Sequence, residues 1–284
     1  MGQLIKGKAV ADAITAEVKN HAEELRQKGT SPKLKIVRVG QREDDLAYER
    51  AAIKRMASCS IDCEVLSLSL DISQEDFIKE LKKVDQDETV HGVLIFRPLP
   101  RQIDENAVKY IIRPEKDVDC FNPINVAKVM EGDETGFPPC TPEAAIEMLK
   151  FYNIEMKGKN AVVAGRSMVV GKPAAILLLK ENATVTICHS KTDNLKGVAG
   201  KADILIAAIG KSKMITGDFI KEGAAVIDVG INVDSQGNIT GDVDTEDCIG
   251  KVSVITPVPA GVGSVTTAVL AKHVLKAFNQ LTGK

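Results

Sequence analysis

The chain lacks the charge imbalance and the long apolar run that mark nucleic-acid-binding and membrane proteins. Its formal net charge is −2 and its pI is about 6.2, so no basic excess favours a nucleic acid partner. No apolar run approaches the roughly 20 residues that a membrane span needs, and no polybasic segment suggests a membrane surface. The first residues, MGQLIKGKAVADAI, contain no signal-peptide core, which predicts a cytoplasmic protein.

Clusters of metal ligands are missing from the sequence as well. The six cysteines are scattered, only Cys59 and Cys63 lie close together, and no second pair or histidine cluster follows them. The pattern favours reduced thiols over disulfides or zinc, and it predicts no metal site. The remaining composition is ordinary, with 44% hydrophobic and 27% charged residues among 284, enough for two domains of usual size.

Strands and helices alternate along the chain, which predicts an α/β fold with mainly parallel sheets. The first half opens with an amphipathic helix at 8–27, and a capping pattern at Ser73 and Asp76 starts a later helix. Strands of this half are predicted at 34–40, 64–70 and 92–96. The second half contains near-continuous apolar strands, as expected where helices cover both faces of a doubly wound sheet.

An irregular stretch at 113–141 separates the two halves and is the best candidate for a domain boundary. It is rich in proline, glycine and charged residues, which favour turns over regular structure. Thr141 is predicted to cap the helix that follows, with Pro142 at the first helical position.

The segment VVAGRSMVVGKP (162–173) has the strand–turn–helix context of a dinucleotide-binding loop. A buried strand ends at Gly165 and a helix begins near Gly171, so the backbone could approach a pyrophosphate at the helix N-terminus. The glycine spacing differs from the usual G-x-G-x-x-G, and a plain tight turn remains the alternative.

One strand later, TICHSKT (186–192) lies where a doubly wound sheet meets the ribose of adenosine. NAD sites often carry a carboxylate there, but this chain has His189, Ser190 and Lys191. Hydroxyl and cationic groups favour a 2′-phosphate and therefore NADP, whereas a solvated loop with incidental charge is the alternative.

Seven motifs together resemble the methylenetetrahydrofolate dehydrogenase/methenyltetrahydrofolate cyclohydrolase family, in the order that the family has them, and they cover nearly the whole chain. They are EKDVDCFNPIN (115–125), PPCTP (138–142), GRSMVVGKP (165–173), ATVTICHSKT (183–192), AVIDVGIN (225–232), GDVD (241–244) and ITPVPAGVGSVT (255–266). Each motif is weak alone, but chance agreement of all seven is negligible.

The resemblance implies two domains with the active site in the cleft between them. A folate-binding domain at 1–138, completed by a C-terminal helix at 265–284, would join a Rossmann NADP-binding domain at 139–264. The implied reactions are oxidation of methylenetetrahydrofolate by NADP and hydrolysis of the methenyl product to formyltetrahydrofolate. Family members are usually homodimers joined through their nucleotide domains.

Individual residues of the site also follow from the resemblance. Tyr48 and Asp119 are the expected catalytic residues, and Asp119 matches the carboxylate that holds the pterin ring, unless it only caps a loop. The remaining substrate positions are Ala52, Phe96, Pro259, Gly261 and Gly263. In the cofactor site, Gly165, Arg166 and Ser167 match the loop, Arg166 and Ser190 match positions near the 2′-phosphate, and Ile231 and Thr266 match positions near the nicotinamide. The local patterns described above add Gly171 and His189 to the cofactor-binding residues.

The folate pocket departs from the family pattern of a serine, a tyrosine three residues later and a lysine four residues after that. Tyr48 is kept, but Asp45 stands at the serine position and Ala52 at the lysine position. Phe96, in IFRPLP, replaces the glutamine of a Val-Gln-Leu-Pro-Leu-Pro run. Cys120 replaces a glycine, and Ala260 and Ser264 replace residues of a Gly-Gly-Val-Gly-Pro run.

Lys54 is the nearest amine that could replace the missing lysine. A helix turns about 100° per residue, so a residue four positions after Tyr48 lies roughly 40° away and Lys54, six positions on, roughly 120° away. Lys54 could share the pocket only if the helix were distorted or its side chain curled back.

The two reactions need different chemistry. Hydride leaves a carbon flanked by two nitrogens whose lone pairs stabilise the cation, so the enzyme mainly positions reactants. Hydrolysis needs an acid/base group, which Ala52 and Phe96 cannot supply. We therefore expect a dehydrogenase with a weak or absent cyclohydrolase step. The alternatives are a complete bifunctional enzyme with an unusual base, a dehydrogenase of another substrate, and a non-catalytic NADP-binding paralogue.

Overall fold

A computed structural model describes residues 2–234 and 236–283, which form two compact units. The six-stranded unit comprises residues 2–11 and 139–266, and the three-stranded unit comprises residues 12–138 and 267–283. Within the described ranges, no helix is both long and apolar enough to cross a membrane.

The strands follow one another along the chain in both units. They are β1 (Gln3–Leu4), β2 (Lys33–Val39), β3 (Asp62–Leu68), β4 (Gly92–Ile95), β5 (Asn160–Ala164), β6 (Thr184–Cys188), β7 (Ile204–Ala207), β8 (Ala225–Asp228), β9 (Asn232–Val233), β10 (Ile239–Thr240) and β11 (Val254–Ile255).

The helices alternate with these strands, as the sequence predicts. They are α1 (Gly7–Gln27), α2 (Glu43–Ser58), α3 (Gln74–Gln86), α4 (Glu105–Val108), α5 (Pro123–Glu131), α6 (Cys140–Phe151), α7 (Gly171–Lys180), α8 (Leu195–Ala199), α9 (Thr245–Cys248) and α10 (Gly263–Thr282). The capping pattern predicted for α3 is present, because the Ser73 side chain accepts a hydrogen bond from the Asp76 backbone N–H.

The six-stranded unit is built on a parallel sheet with the strand order β1-β11-β8-β7-β5-β6. Its central strands β7 and β8 are buried along their whole length, which explains their near-continuous apolar sequence. Ala164 pairs with both Cys188 and Ala207, so the residues after β5, β6 and β7 emerge at one edge of the sheet. Ligands of doubly wound folds bind at this carboxyl edge.

The three-stranded unit contains a parallel sheet with the order β3-β2-β4. Val93 of β4 forms a further parallel bridge with Asp117, so the segment around Asp117 extends the sheet beyond β4. The core between the sheet and α3 includes Val37, Phe77 and Leu81, all with no exposed surface.

The start of the chain differs from the prediction. Residues 2–11 belong to the six-stranded unit, whereas the sequence places them in a folate domain at 1–138. Gln3 and Leu4 pair with β11, and the Ile5 backbone N–H donates to the Ile255 carbonyl over 2.9 Å. A strand of two residues has no periodicity to detect, so only this long-range pairing reveals it.

The boundary stretch at 113–141 is less irregular than predicted, because it contains α5. The Asn122 side chain accepts from the Ile124 N–H, and Pro123 occupies the first turn, a start signal that is visible in the sequence. The helix after the stretch begins at Cys140, with Pro139 at the N-cap position. Thr141 therefore lies inside α6, and the prediction that it caps this helix is wrong.

Candidate active site

Two glycines of the loop between β5 and α7 are required by the geometry of the backbone. Gly165 has φ of 150°, and a Cβ there would overlap the Ala208 carbonyl oxygen. A Cβ at Gly171 would overlap the Gly165 carbonyl oxygen. The loop therefore packs backbone against backbone and leaves the N-terminus of α7, a helix of 10 residues, at the carboxyl edge of the sheet. This arrangement fits a dinucleotide pyrophosphate.

Ser167 caps the helix that this loop starts. Its hydroxyl oxygen accepts from the Val170 backbone N–H over 3.1 Å and from the Gly171 N–H over 3.4 Å. Val170 itself provides no capping side chain, so Ser167 supplies it from three residues upstream. The side chain of Arg166 is exposed beside it.

The turn after β6 is held by its own polar groups. The His189 Nδ1 atom accepts from the Lys191 N–H over 3.1 Å, and the Thr192 hydroxyl accepts from the His189 N–H over 2.9 Å. Ser190 is exposed, and the Gly165 N–H donates to the Cys188 carbonyl over 2.9 Å, which joins this turn to the glycine loop. Arg166 and Ser190 therefore follow neighbouring strands, where guanidinium and hydroxyl groups fit a phosphate.

A cavity of about 290 Å³ in the six-stranded unit brings together five of the predicted site residues. Ile231, Pro259, Gly261, Gly263 and Thr266 all line it. Ile231 is 69% exposed, whereas Thr266 is buried. Further residues that were not predicted from the sequence also line the cavity, among them the polar residues Thr141 and Asp228. Their motifs, PPCTP and AVIDVGIN, were visible, but nothing local indicated which side chains face a cavity.

Two residues that replace a family glycine keep a left-handed backbone. Cys120 has φ of 60° and Ala260 has φ of 77°, a region that costs a residue with a Cβ roughly 1–2 kcal/mol. The family glycine at each position therefore has a conformational reason, and this chain tolerates the strain. Ser264, which replaces a proline of the same run, donates its hydroxyl hydrogen to the Gly261 carbonyl over 2.7 Å.

The missing amine of the folate pocket is replaced by packed apolar groups. The rings of Tyr48 and Phe96 meet edge to face, with centroids 5.8 Å apart. Ala52 is 0% and Phe96 8% exposed, while Tyr48 is half-buried. Lys54 is exposed on another part of α2. Of the three side chains Tyr48, Ala52 and Phe96, only the phenol can donate a proton.

Asp45, at the serine position, brings a carboxylate to the same helix. Burial raises its pKa, and the nearby charges of Arg42 and Arg38 oppose that shift. The Arg42 Nε atom lies 3.9 Å from Asp45, while Arg38 forms a largely buried ion pair with Glu49 over 2.7 Å. The replacement therefore belongs to a network of charges instead of standing alone.

Asp119 lies on a loop that the buried Asp117 holds in place. The Asp117 carboxylate accepts from the backbone N–H groups of Phe121 and Asn122 and from the Asn125 amide, over 2.7–3.0 Å. Burial raises the pKa of Asp117, although these donors oppose the shift. Asp119, which is half-buried, has a role predicted from the sequence, whereas the supporting role of Asp117 in the same KDVD motif was not predicted.

The loop that carries Asp119 lies beside the chain segment that carries Phe96 and Arg97. Val93 bridges Asp117 in parallel, and the Arg97 guanidinium carbon lies 4.8 Å from the centre of the Phe121 ring. The chain segments that carry Phe96 and Asp119 therefore run next to each other. Arg97, for which no role was predicted from the sequence, contacts Phe121 in this region.

The chain matches both domain models of one family. Residues 5–119 match the catalytic domain of tetrahydrofolate dehydrogenase/cyclohydrolase, and residues 139–282 match the NAD(P)-binding domain of the same family. A protein named bifunctional protein FolD from Clostridioides difficile is 62% identical over 276 residues, which cover 97% of this chain and 96% of that protein. The corresponding protein of Carboxydothermus hydrogenoformans is 53% identical over 285 residues, covering 100% and 99%.

Solved structures show the same architecture. The bifunctional methylenetetrahydrofolate dehydrogenase/cyclohydrolase of Campylobacter jejuni is 39% identical, with a TM-score of 0.95 over 99% of this chain and 100% of that one. The Trypanosoma brucei enzyme, solved with NADP and an inhibitor, is 36% identical, with a TM-score of 0.93 over 98% of each chain.

Proposed function

This chain belongs to the tetrahydrofolate dehydrogenase/cyclohydrolase family, and we propose that its cyclohydrolase step is strongly weakened while its dehydrogenase step is intact. It is an NADP-dependent methylenetetrahydrofolate dehydrogenase of one-carbon metabolism. The observation that carries the proposal is the Tyr48–Phe96 ring pair together with a fully buried Ala52 at the position of the family lysine. The relatives named bifunctional give no support to a lost step, so the proposal rests on this chain's own residues.

The six-stranded unit would hold the cofactor through its backbone. The loop between Gly165 and Gly171 would bind the pyrophosphate, and Arg166 with Ser190 would bind the 2′-phosphate. The cavity near Ile231 and Thr266 would hold the nicotinamide ring. NADP supplies a ring that accepts a hydride, so these residues need only orient it and exclude water.

The three-stranded unit would bind the folate. We assign the Tyr48 ring to packing against the substrate and the Asp119 carboxylate to accepting hydrogen bonds from the pterin ring. Both roles position a carbon whose flanking nitrogens stabilise the cation that hydride loss creates, so no base is required. Proximity and orientation would provide most of the rate enhancement in this step.

Hydrolysis of the methenyl product needs acid/base catalysis, which the wall formed by Tyr48, Ala52 and Phe96 does not supply. Water must lose a proton as it attacks, and a ring nitrogen must later gain one. The methyl group of Ala52 and the ring of Phe96 transfer no protons, so the Tyr48 phenol lacks the amine and the amide that the family pattern places near it. Loss of general acid–base catalysis costs about 100- to 10,000-fold in rate.

A paired assay of both steps tests the proposal. Wild-type protein should reduce NADP with methylenetetrahydrofolate and accumulate methenyltetrahydrofolate. The variant Ala52→Lys with Phe96→Gln should hydrolyse the methenyl compound about 100-fold faster or more. Ala52→Lys alone is the matched control, because an amine at a position with 0% exposure would lack its glutamine partner and destabilise the fold.

Each alternative has a distinct outcome in this assay. Efficient hydrolysis by the wild type would overturn the proposal and identify a complete bifunctional enzyme, which the names of the relatives favour. Tight NADP binding without turnover of any folate would indicate a non-catalytic paralogue. Turnover of NADP with another carbon donor only would indicate a different substrate.

The cytoplasmic location stays a prediction. We also propose a homodimer joined through the six-stranded unit. Strand β6 is the edge strand of the parallel sheet. Its Ile187 is 40% exposed, and Leu179 of α7 is 58% exposed. An edge strand with apolar side chains favours pairing with another chain. A solution mass of twice 30.5 kDa would support the dimer, and a mass of 30.5 kDa would contradict it.

A further inference from the structure

Two buried carboxylates, Asp228 and Asp242, hold the loops that form part of the proposed cofactor cavity. Asp228 lines the cavity and is 1% exposed, and Asp242 is 0% exposed. The two residues come from different motifs, AVIDVGIN and GDVD, and neither was assigned a role from the sequence. Charged groups are rarely buried to this extent, so their surroundings show what keeps them there.

Asp242 joins the segments that follow β7 and β8. Its carboxylate accepts from the backbone N–H groups of Gly210 and Lys211 over 3.0 and 2.9 Å, and also from the Ile209 N–H. On the other side it accepts from the Asn232 side-chain amide over 2.9 Å. Asn232 follows Ile231, the exposed residue of the cavity wall, so Asp242 fixes the backbone that carries Ile231.

Asp228 makes the reciprocal connection. Its carboxylate accepts from the backbone N–H groups of Gly230, Asp242 and Val243 over 2.9–3.1 Å. The glycines on each side repeat this reciprocity, since a Cβ at Gly230 would overlap Asp242 and a Cβ at Gly241 would overlap Asp228. Each loop thus places a glycine directly against the carboxylate of the other.

The donors named above are all neutral amides. They satisfy the hydrogen-bonding capacity of the carboxylates but do not cancel their charge, so a negative potential remains at the cavity wall. An oxidised nicotinamide ring is positively charged, whereas the reduced ring is neutral. A buried charge interacts strongly across a short distance in a protein interior, and it would act on only one of these two states.

We propose that Asp228 and Asp242 are positioning residues that hold the Ile231 wall and make the cavity favour the oxidised over the reduced cofactor. The inference rests on the proposed function, because it needs NADP to place its nicotinamide in this cavity. A cavity that favours the cationic ring would bind NADP⁺ more tightly before the reaction and would release NADPH more readily after it.

Direct binding measurements separate this role from a purely structural one. The dissociation constants of NADP⁺ and NADPH should be measured by calorimetry for the wild type, Asp242→Asn and Asp228→Asn. We expect the ratio of the NADP⁺ constant to the NADPH constant to rise roughly tenfold in each variant. A merely structural defect would weaken both nucleotides equally and leave the ratio unchanged, which would overturn the inference.

Asp203→Asn is the matched control, because Asp203 ties together the opposite end of the same sheet. Its carboxylate accepts from the Asn160 N–H over 2.9 Å and pairs with Lys221 over 2.5 Å. This variant should alter stability and leave the ratio as it is in the wild type; an equal rise in the ratio would contradict the inference.

If neither test variant folds, the wild type decides the question, since NADPH binding tighter than NADP⁺ would contradict a cavity that favours the cation. Failure of the proposed function has a different signature, in which the wild type binds neither nucleotide. Thermal shifts with each nucleotide provide a second readout that is independent of turnover.

Discussion

The cofactor loop and the folate wall are built on different physical grounds. In the loop between β5 and α7, glycines approach carbonyl oxygens so closely that a single added carbon would overlap them. In the wall formed by Tyr48, Ala52 and Phe96, the chemistry depends on side chains on helix α2 and directly after strand β4. The loop keeps its family pattern, and the wall does not.

This difference shows which kind of site can change without altering the fold. A backbone site is part of the packing between strands, so a substitution there disturbs the sheet itself. A side-chain site can exchange a lysine and a glutamine for an alanine and a phenylalanine, since α2 and β4 form either way. A change of activity is therefore expected first in the folate pocket.

The largest effect is expected for a substitution in the loop between β5 and α7, where the backbone is closely packed. Gly165→Ala adds a Cβ at φ of 150° against the Ala208 carbonyl and should destabilise the protein by roughly 3–5 kcal/mol. Gly158→Ala is the control, because Gly158 has φ of 73° but open space around it, and it should cost only about 1–2 kcal/mol. Denaturant unfolding measures both, and equal losses would contradict close packing at Gly165.

The next effect concerns a side chain within the cofactor region. Burial raises the pKa of Asp228 to about 6, backbone N–H donors oppose the shift, and the charge of Asp242 adds to it. The folded state therefore binds a proton at Asp228 more tightly than the unfolded state does. Proton binding at Asp228 contributes fully to the free energy of unfolding below about pH 4, and this contribution is lost as pH rises through 6. Asp228→Asn removes it.

The free energy of unfolding of the wild type should therefore fall relative to Asp228→Asn by up to about 3 kcal/mol between pH 4 and 7. The charge of Asp228 also acts on the Cys248 thiol, but burial raises the pKa of that thiol to about 12, so it stays neutral over this range. Urea unfolding across the pH series measures the difference. A difference that does not vary with pH would contradict the shift.

A smaller effect tests the tolerated strain in the folate half. Cys120→Gly should relieve the left-handed backbone at φ of 60° and be more stable than Cys120→Ala by about 0.5–1 kcal/mol, after the greater freedom of glycine in the unfolded state is deducted. Cys120→Ala is the matched control, since it removes the thiol and keeps the strain. The midpoints of urea unfolding compare them, and equal stabilities would argue against strain.

The smallest effect is expected at Lys54. Because its side chain is exposed, Lys54→Ala should change stability by less than about 0.5 kcal/mol and leave both reactions unchanged. Arg55→Ala on the same helix is the contrast, because Arg55 donates to the hydroxyls of Thr15 and Thr267 over 2.6 and 3.3 Å. It should cost roughly 1–2 kcal/mol. If Lys54→Ala lowered the rate of hydrolysis further, Lys54 would instead be identified as a catalytic base.

Much of the fold could be predicted because local sequence patterns, such as apolar runs, helical periodicity and capping residues, indicate its helices and strands. Apolar runs indicated β5, β7 and β8, the period of α1 was clear, and Ser73 marked the start of α3. The glycine loop was found in the same way, because strand, turn and helix follow one another directly. Helix α5 was missed although its Asn-Pro start was present, since the surrounding turn residues hid its short period.

The sequence by itself determined the α/β class, the family, the cofactor and the loss of an amine at position 52, since each depends on residue types at fixed spacing. Only the tertiary structure decided that β1 joins the six-stranded sheet, that Phe96 packs on Tyr48, and that Asp228 and Asp242 hold each other's loops. These contacts join residues far apart in the chain, and no local propensity or period encodes which distant partners will meet.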